Sequence, residues 1–231
     1  MKYKCLVFDH DDTVVNSTAT IHHPCFQEYL RRFYPGRFCT LEEYFEKNFD
    51  PGFVPMCRAE YGMSDEDLAY EAEFWKSYVK THIPLAYPGI REIMERQRAA
   101  GGLIAVVSHS FDFNIRRDYA ANGLPEPDAV YGWEQPEDRR KPHPFPLEDI
   151  MARFGLEPRD LLMIDDLKPG YDMALSCGVD FAAVGWANDI ASIESFMRQN
   201  SDYYFKTVPE LAAFLEACVS LDGKGAAAYN K

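Results

Sequence analysis

The chain has 231 residues, of which 47% are hydrophobic and 14% aromatic, so it can form a packed core, and global disorder is disfavoured. Its net charge of −13 disfavours nucleic acid and anionic membrane surfaces as partners. A small anionic substrate stays open if a local positive group or a metal ion overrides that field.

The cysteines and the first residues of the chain bear on its cellular compartment. The six cysteines contain no C-x-x-C pair, which favours buried reduced thiols over a zinc or redox motif. The start of the chain, MKYKCLVFDH, meets charge too soon for the apolar part of a secretory signal, and no apolar run reaches membrane-spanning length. We therefore expect a cytoplasmic protein without a membrane partner.

The first predicted element is a short apolar strand, CLVF at 5–8, that leads directly into carboxylates. Asp9, Asp11 and Asp12 follow it almost together. Three carboxylates at the mouth of a hydrophobic strand repel one another and resist burial. Their position therefore needs a physical reason.

Residues 16–86 show helical patterns and many aromatic side chains, and no buried-strand pattern occurs among them. The sequence SDED at 64–67 predicts a capping box that begins a helix ending near Lys80. We interpret this part of the chain as a helical module inserted after the first strand. Its aromatic stripes are predicted to form a core rather than a ligand site.

From residue 88 onward, helical and strand patterns alternate. Helical patterns are GIREIMERQRAAGG (89–102), FNIRRDYAANG (113–123), PLEDIMARFG (146–155) and YDMALSCG (171–178), and short buried strands are LIAVV (103–107), LLMI (161–164) and FAAV (181–184). Strands alternating with helices predict an α/β fold with a doubly wound parallel sheet. The predicted units are an α/β core of residues 1–15 and 87–221, the helical module of 16–86, and a flexible tail at 222–231.

Polar side chains follow several of the predicted strands. Asp9, Asp11, Asp12 and Thr13 follow the first strand, Ser108, His109 and Ser110 follow LIAVV, Asp165 and Asp166 follow LLMI, and RRKPHPFP carries Arg139, Arg140 and Lys141. Ligands of open parallel sheets bind beyond the carboxyl ends of the strands. Carboxylates from two strands suit Mg²⁺, while a serine hydroxyl and a lysine suit a phosphate. Each carboxylate taken alone could equally be a solvated loop residue or a helix cap.

These residues resemble the four motifs of the haloacid dehalogenase superfamily of phosphohydrolases. FDHDDTVVNS resembles motif I, LIAVVSHS motif II, KPHP the Lys-Pro-x-Pro form of motif III, and LLMIDDLKPGYDMALSCGV motif IV. The match covers nearly the whole chain outside the inserted module. Each motif alone is weak, whereas four in order on predicted strand ends are specific.

The resemblance implies a Rossmann-like core with a helical cap inserted between motifs I and II, similar to phosphoglycolate phosphatases and β-phosphoglucomutases. It implies an enzyme, a Mg²⁺-dependent phosphatase that hydrolyses a small phosphorylated metabolite through an aspartyl-phosphate, acting as a monomer or homodimer. The pattern leaves open a sugar-phosphate mutase of the same superfamily and a catalytically silent phosphate-binding or interaction module. The identity of the leaving group cannot be read from these motifs.

The resemblance also implies roles for individual residues. Asp9 would be the nucleophile and Asp11 the general acid and base. Ser108 and Lys141 would hold the transferring phosphoryl group, with His109 beside them in the substrate site. The metal ligands would be the Asp9 carboxylate, the Asp11 backbone carbonyl and Asp166, with Asp165 and Thr13 in a supporting shell.

Several positions depart from the motifs or compete with them. Asp12 stands where glycine is frequent, and we expect it to tolerate the left-handed backbone of that turn. Gly170 stands where some members have a second aspartate, and His109 where many have asparagine. Lys168 is the rival of Lys141, which we favour for its Lys-Pro-x-Pro context. Within the module, His22, His23 and Arg58 could meet substrate, but we favour ordinary surface or core positions for each.

Overall fold

A six-stranded parallel sheet runs through the chain in the order β3-β2-β1-β4-β5-β6. The structure is a computed structural model that describes residues 2–220, so the predicted tail at 222–231 lies outside the described residues. The strands are β1 (Cys5–Phe8), β2 (Leu103–Val107), β3 (Ala129–Tyr131), β4 (Leu161–Asp165), β5 (Asp180–Val184) and β6 (Tyr203–Phe205). This order places β1 at the centre of the sheet, between β2 and β4.

Ten α-helices accompany the sheet within the described residues. They are α1 (His23–Phe33), α2 (Leu41–Phe49), α3 (Phe53–Tyr61), α4 (Asp65–Val79), α5 (Ile90–Ala99), α6 (Asp112–Ala121), α7 (Phe145–Phe154), α8 (Lys168–Cys177), α9 (Ala191–Asn200) and α10 (Val208–Ser220). A π-helical turn, Thr18–His22, leads into α1. No helix of residues 2–220 combines the length and the apolar character that crossing a membrane requires.

Both faces of the sheet are covered by helices, because alternate strand residues enter two separate apolar cores. Leu6 and Phe8 of β1 join a core with residues of α5, α6 and α10. Cys5 and Val7 join the other core, with residues of α7, α8 and α9. Two-sided burial explains the continuous apolar runs of the strands. The predicted doubly wound α/β fold is confirmed.

Helices α1–α4 form a third apolar cluster, built largely from aromatic and sulfur-containing side chains. Its buried members are Phe26, Tyr29, Leu30, Cys39, Tyr44, Met56, Cys57 and Met63. The predicted capping box begins α4: the Ser64 hydroxyl accepts from the Asp67 N–H at 3.2 Å, and the Asp67 carboxylate accepts from the Ser64 N–H at 2.9 Å. All six cysteine thiols are free, and five of them are buried.

The segment carrying these four helices, residues 16–86, leaves and rejoins the sheet at one place. The Asn16 N–H donates to the Leu85 carbonyl at 2.9 Å, and the Tyr87 N–H donates to the Val14 carbonyl at 3.0 Å. Asn122, at the end of α6, bonds the returning chain through the Ala86 N–H at 2.9 Å. The two connections therefore lie side by side as a short antiparallel pair.

Glu71 is a buried carboxyl group on α4, with only 6% of its surface exposed. Burial raises its pKa from 4.5 to about 7, and the neighbouring His22 offsets only part of this rise. A carboxyl group whose pKa is higher in the folded state stabilises the fold at low pH. That stability is lost as the pH rises through about 7.

We therefore expect Glu71→Gln to stabilise the protein at about pH 8, on the order of 3 kcal/mol, and by less than about 1 kcal/mol at about pH 5. Urea unfolding at the two pH values measures the difference. Glu73→Gln is the matched control, because Glu73 is exposed on the same helix and pairs with Lys76 at 2.6 Å. An equal effect of Glu71→Gln at both pH values would contradict the assignment.

Candidate active site

The register of the sheet brings two of the predicted site aspartates together. In the parallel pairing of β1 with β4, Phe8 lies opposite Ile164, so the next residues, Asp9 and Asp165, also face each other. The Asp9 N–H donates to the Ile164 carbonyl at 2.8 Å, which holds the chain in this register one residue beyond the strand. Both side chains emerge at the crevice where the sheet order reverses, which is where α/β sheets bind ligands.

Lys141 lies between these two carboxylates. Its Nζ is 2.5 Å from Asp9 Oδ1 and 2.8 Å from Asp165 Oδ2. All three residues are almost completely buried, with exposures of 3%, 2% and 0% for Lys141, Asp9 and Asp165. Burial raises the pKa of Asp9 to about 7 although Lys141 opposes the rise, and burial also raises that of Asp165. The two carboxylates in turn raise the pKa of Lys141 above its ordinary value despite its burial.

A third buried carboxylate, Asp166, completes an acidic cluster at this edge. Ligand oxygens of Asp9, Asp165 and Asp166 all lie within 4.8 Å of one another. Burial and the neighbouring Asp12, Asp165 and Asp9 charges raise the pKa of Asp166 well above its ordinary value. The Thr13 hydroxyl donates to Asp166 Oδ1 at 3.3 Å.

Asp11 points away from this cluster, toward the inserted segment. His22 Nε2 lies 2.9 Å from Asp11 Oδ1, and the Trp75 indole N–H donates to His22 Nδ1 at 2.9 Å. An indole can only donate, so His22 Nδ1 accepts from Trp75 while Nε2 donates to Asp11. The Asp11 charge and hydrogen bond raise the pKa of His22 despite its burial. Burial favours a neutral Asp11 carboxyl, but the His22 contact outweighs it and holds the pKa of Asp11 below its ordinary value. We expected an ordinary role for His22, and the structure instead places it on Asp11.

The turn after β1 needs an unusual backbone conformation. Asp12 has φ 61°, the one positive value of a non-glycine residue in the described chain, which confirms the expected left-handed turn. Its Oδ1 accepts from the Thr18 N–H at 3.1 Å, at the start of the π-helical turn. His10 contacts α6 instead: its Nε2 lies 3.1 Å from Asp118, and its ring stacks on that of Tyr119.

Ser108 and His109 extend the site beyond β2. Ser108 is buried, and its Oγ accepts from the Ser110 N–H at 3.1 Å, which leaves its own hydroxyl proton free to donate. His109 Nε2 donates to the Lys141 carbonyl at 2.7 Å. The loop after β2 is thus tied to the backbone that carries Lys141.

Three further candidates have other partners in the structure. Lys168 pairs with Asp172 of its own helix at 2.6 Å. His23 Nε2 bonds the Cys39 carbonyl at 2.8 Å, and Arg58 pairs with Asp65. The partners of these three side chains lie outside the acidic cluster.

Two curated relatives share sequence with this chain. The phosphoglycolate phosphatase of Haemophilus influenzae (strain 86-028NP) is 29% identical over 131 residues, which cover 56% of this chain and 57% of that protein. The pyrophosphatase PpaX of Bacillus pumilus is 21% identical over 217 residues, covering 92% of this chain and 96% of the relative. The more similar match therefore spans only a little more than half the length of either protein.

A solved structure from Bacteroides fragilis, described as a haloacid dehalogenase-like hydrolase, superposes with a TM-score of 0.76 at 22% identity. The match covers 91% of this chain and all of the other chain. At this identity the likeness concerns the fold alone. The family model of haloacid dehalogenase-like hydrolases matches residues 6–184. This range contains the carboxyl ends of strands β1 to β5. The chain therefore belongs to the haloacid dehalogenase-like hydrolase family.

Proposed function

We propose that this chain is a Mg²⁺-dependent phosphatase that hydrolyses a small phosphorylated metabolite through an aspartyl-phosphate on Asp9. The observation that carries the proposal is the buried Lys141 ammonium between Asp9 and Asp165, with Asp166 beside them. The names of the phosphoglycolate phosphatase and pyrophosphatase relatives point to the same class of substrate.

The acidic cluster fits a divalent cation on the chemistry of its donors. Asp9, Asp165 and Asp166 offer only carboxylate oxygens, the ligands that Mg²⁺ prefers. Lys141 supplies one positive charge against three carboxylates, which leaves negative charge uncompensated among the described residues. We propose that Asp9, Asp166 and the Asp11 backbone carbonyl hold Mg²⁺, which when bound neutralises charge on the phosphoryl group.

The protein's own groups carry the two chemical steps. An oxygen of Asp9 attacks phosphorus, the bond from phosphorus to the ester oxygen breaks, and the departing alkoxide takes a proton from Asp11. Asp11 has to take up that proton before the step, because His22 keeps its carboxyl ionised in this structure. In the second step water attacks the same phosphorus, Asp11 takes a proton from that water, and Asp9 is released with inorganic phosphate. Lys141 and the Ser108 hydroxyl would hold the phosphoryl oxygens through both steps.

The space around Gly170 indicates a larger role for Asp165 than the one expected from the sequence, which was to surround the metal ligands. A methyl group at residue 170 would overlap the Asp165 carboxylate, so the space beside Gly170 is already filled by that side chain. Asp165 therefore occupies the region that an aspartate at residue 170 would occupy. We propose that Asp165 supplies the second acidic group of this motif and orients Lys141.

We propose that residues 16–86 act as the cap over the site. His22 and Trp75 connect this segment to Asp11, and the Trp75 ring lies 5.7 Å from that of Phe111, which precedes α6. On the other side, Phe49 of α2 lies 5.4 Å from Phe196 of α9. The segment thus contacts the core beside Asp11 and at α9, and its contact with Asp11 would position the proposed acid.

Hydrolysis of p-nitrophenyl phosphate tests the proposed function. We expect turnover by the wild type to stop on addition of EDTA and to return with Mg²⁺. Asp9→Asn should abolish turnover, because a neutral amide is a poor nucleophile, and acid-quenched wild type should show one phosphoryl group on Asp9 by mass spectrometry. Undiminished turnover by Asp9→Asn would contradict the proposal and favour another nucleophile.

A comparison of the two motif lysines tests the phosphate site. Lys141→Ala should lower kcat/KM at least about hundredfold, because it removes a charge that holds the phosphoryl group. Lys168→Ala should change kcat/KM little, since it removes only a half-buried i,i+4 pair within one helix, worth about 0.3–0.5 kcal/mol. Circular dichroism checks that both variants fold. The reverse order of losses would place the phosphate site at the start of α8.

Gly170→Ala tests the arrangement around Asp165. Alanine normally stabilises a helix interior by about 1 kcal/mol relative to glycine, but here we expect a net destabilisation of about 1–3 kcal/mol. Urea unfolding measures it, with Ser176→Ala, at an exposed position of the same helix, as the control. The variant should also gain less thermal stability from Mg²⁺ than the wild type. A more stable Gly170→Ala protein would show that Asp165 does not need this space.

A further inference from the structure

An aromatic and cationic cluster lies beside the proposed phosphate site. The Arg140 guanidinium stacks on the Trp133 ring at 3.9 Å from its centroid. The His109 ring meets the same indole edge-on, at 5.6 Å between centroids. His109 bonds the Lys141 backbone carbonyl, so the cluster is joined directly to the residue whose ammonium contacts Asp9.

The loop that carries Trp133 is held firmly against the loop after β2. The Ser108 N–H donates to the Tyr131 carbonyl at 3.0 Å, and the Trp133 N–H donates to the Ser110 carbonyl at 2.9 Å. A Cβ atom on Gly132 would lie 2.9 Å from the Ser110 carbonyl oxygen, so the approach requires glycine. The backbone of Trp133 is therefore held in place, while 41% of the residue's surface is exposed.

Arg140 is one of four arginines of residues 2–220 that lie over an aromatic ring without a carboxylate partner, the others being Arg37, Arg139 and Arg153. Most of the other arginines pair with a carboxylate, namely Arg31, Arg32, Arg58, Arg91, Arg96, Arg98, Arg116, Arg117, Arg159 and Arg198. A guanidinium stacked on a ring keeps its in-plane N–H donors available, and they match a carboxylate or phosphate.

The backbone of Lys141 joins this cluster to the proposed phosphate site. Arg140 precedes Lys141 in the chain, and His109 contacts both the Trp133 ring and the Lys141 carbonyl. Partial removal from water lowers the pKa of His109, and the Lys141 and Arg140 charges lower it further, while the Asp11 charge opposes them. An anion bound to Arg140 would therefore lie beside the loop that carries Lys141.

We propose that Arg140, positioned by Trp133, binds a second anionic group, a carboxylate, on the alcohol portion of the substrate. This assignment rests on the proposed phosphatase function and deepens it, because it selects phosphomonoesters of acidic alcohols over those of neutral alcohols. Trp133 is a positioning residue, since it acts through the orientation of the guanidinium.

Matched pairs of substrates test the assignment. Phosphoglycolate is compared with hydroxyethyl phosphate, and phosphoglycerate with glycerol phosphate, so that the members of each pair differ mainly in a carboxylate. The measured quantity is the ratio of kcat/KM for the acidic member to kcat/KM for the neutral one. The affinities of the same compounds for the Asp9→Asn protein with Mg²⁺, measured by calorimetry, provide a readout that does not depend on turnover.

We expect the wild type to prefer the acidic member of at least one pair, and Arg140→Ala to lower that preference by about ten- to hundredfold, mainly through KM. Trp133→Ala should lower it less, and Trp133→Phe should restore most of the loss. Arg139→Ala is the control, because this neighbouring guanidinium lies 4.8 Å from the Phe145 ring instead, and the preference should persist.

The outcomes separate this assignment from the phosphatase proposal. A wild type without preference in either readout, or an equal loss in Arg139→Ala and Arg140→Ala, would overturn the role of Arg140. Binding that depends on Arg140, without Mg²⁺-dependent turnover of any compound, would support the anion site and overturn the phosphatase function.

Discussion

The buried ion pairs of Lys141 are the interaction on which the rest of the site depends. Taking Asp9 and Asp165 out of water is costly, and the ammonium 2.5 Å and 2.8 Å from them offsets much of that cost. Removing the ammonium would leave two uncompensated buried carboxylates, typically a loss of about 3–5 kcal/mol. The stability of the sheet edge and the assembly of the site are therefore coupled.

Sequence periodicity predicted much of the fold and of the acidic cluster. The runs at 103–107, 161–164 and 181–184 are strands, with β4 and β5 each one residue longer than predicted. Strand ends in a parallel sheet meet at one edge, so Asp9, Asp165, Asp166 and Ser108 could be grouped without coordinates. The domain boundaries and the roles of these residues remain predictions.

Other features could not be predicted, for identifiable reasons. β3 and β6 have three residues each, too few for a periodic signal. α8 begins at Lys168, before the predicted start at Tyr171. Pro169 fits in the first turn, because the N–H groups of a first turn have no partner within the helix and a missing one costs nothing there. The contact of His22 with Asp11 depends on how the π-helical turn and α4 pack. The space beside Gly170 is filled by the Asp165 side chain, which a sequence pattern does not show. Such relations are tertiary and leave no local pattern.

The antiparallel pairing of residues 14–16 with 85–87 has a consequence for how this chain can vary. Because the Val15 and Ala86 backbones form a bridge, the ends of the inserted segment are already in contact. Closing a loop between fixed, adjacent ends costs entropy that grows only with the logarithm of loop length. A longer or shorter segment between these ends would therefore change the entropy of chain closure only slightly, and the main cost of a replacement would be the lost packing of Phe45 and Phe49 on the sheet's core. Substrate preference could then diverge through exchange of the segment while the buried lysine and its carboxylates stay as they are.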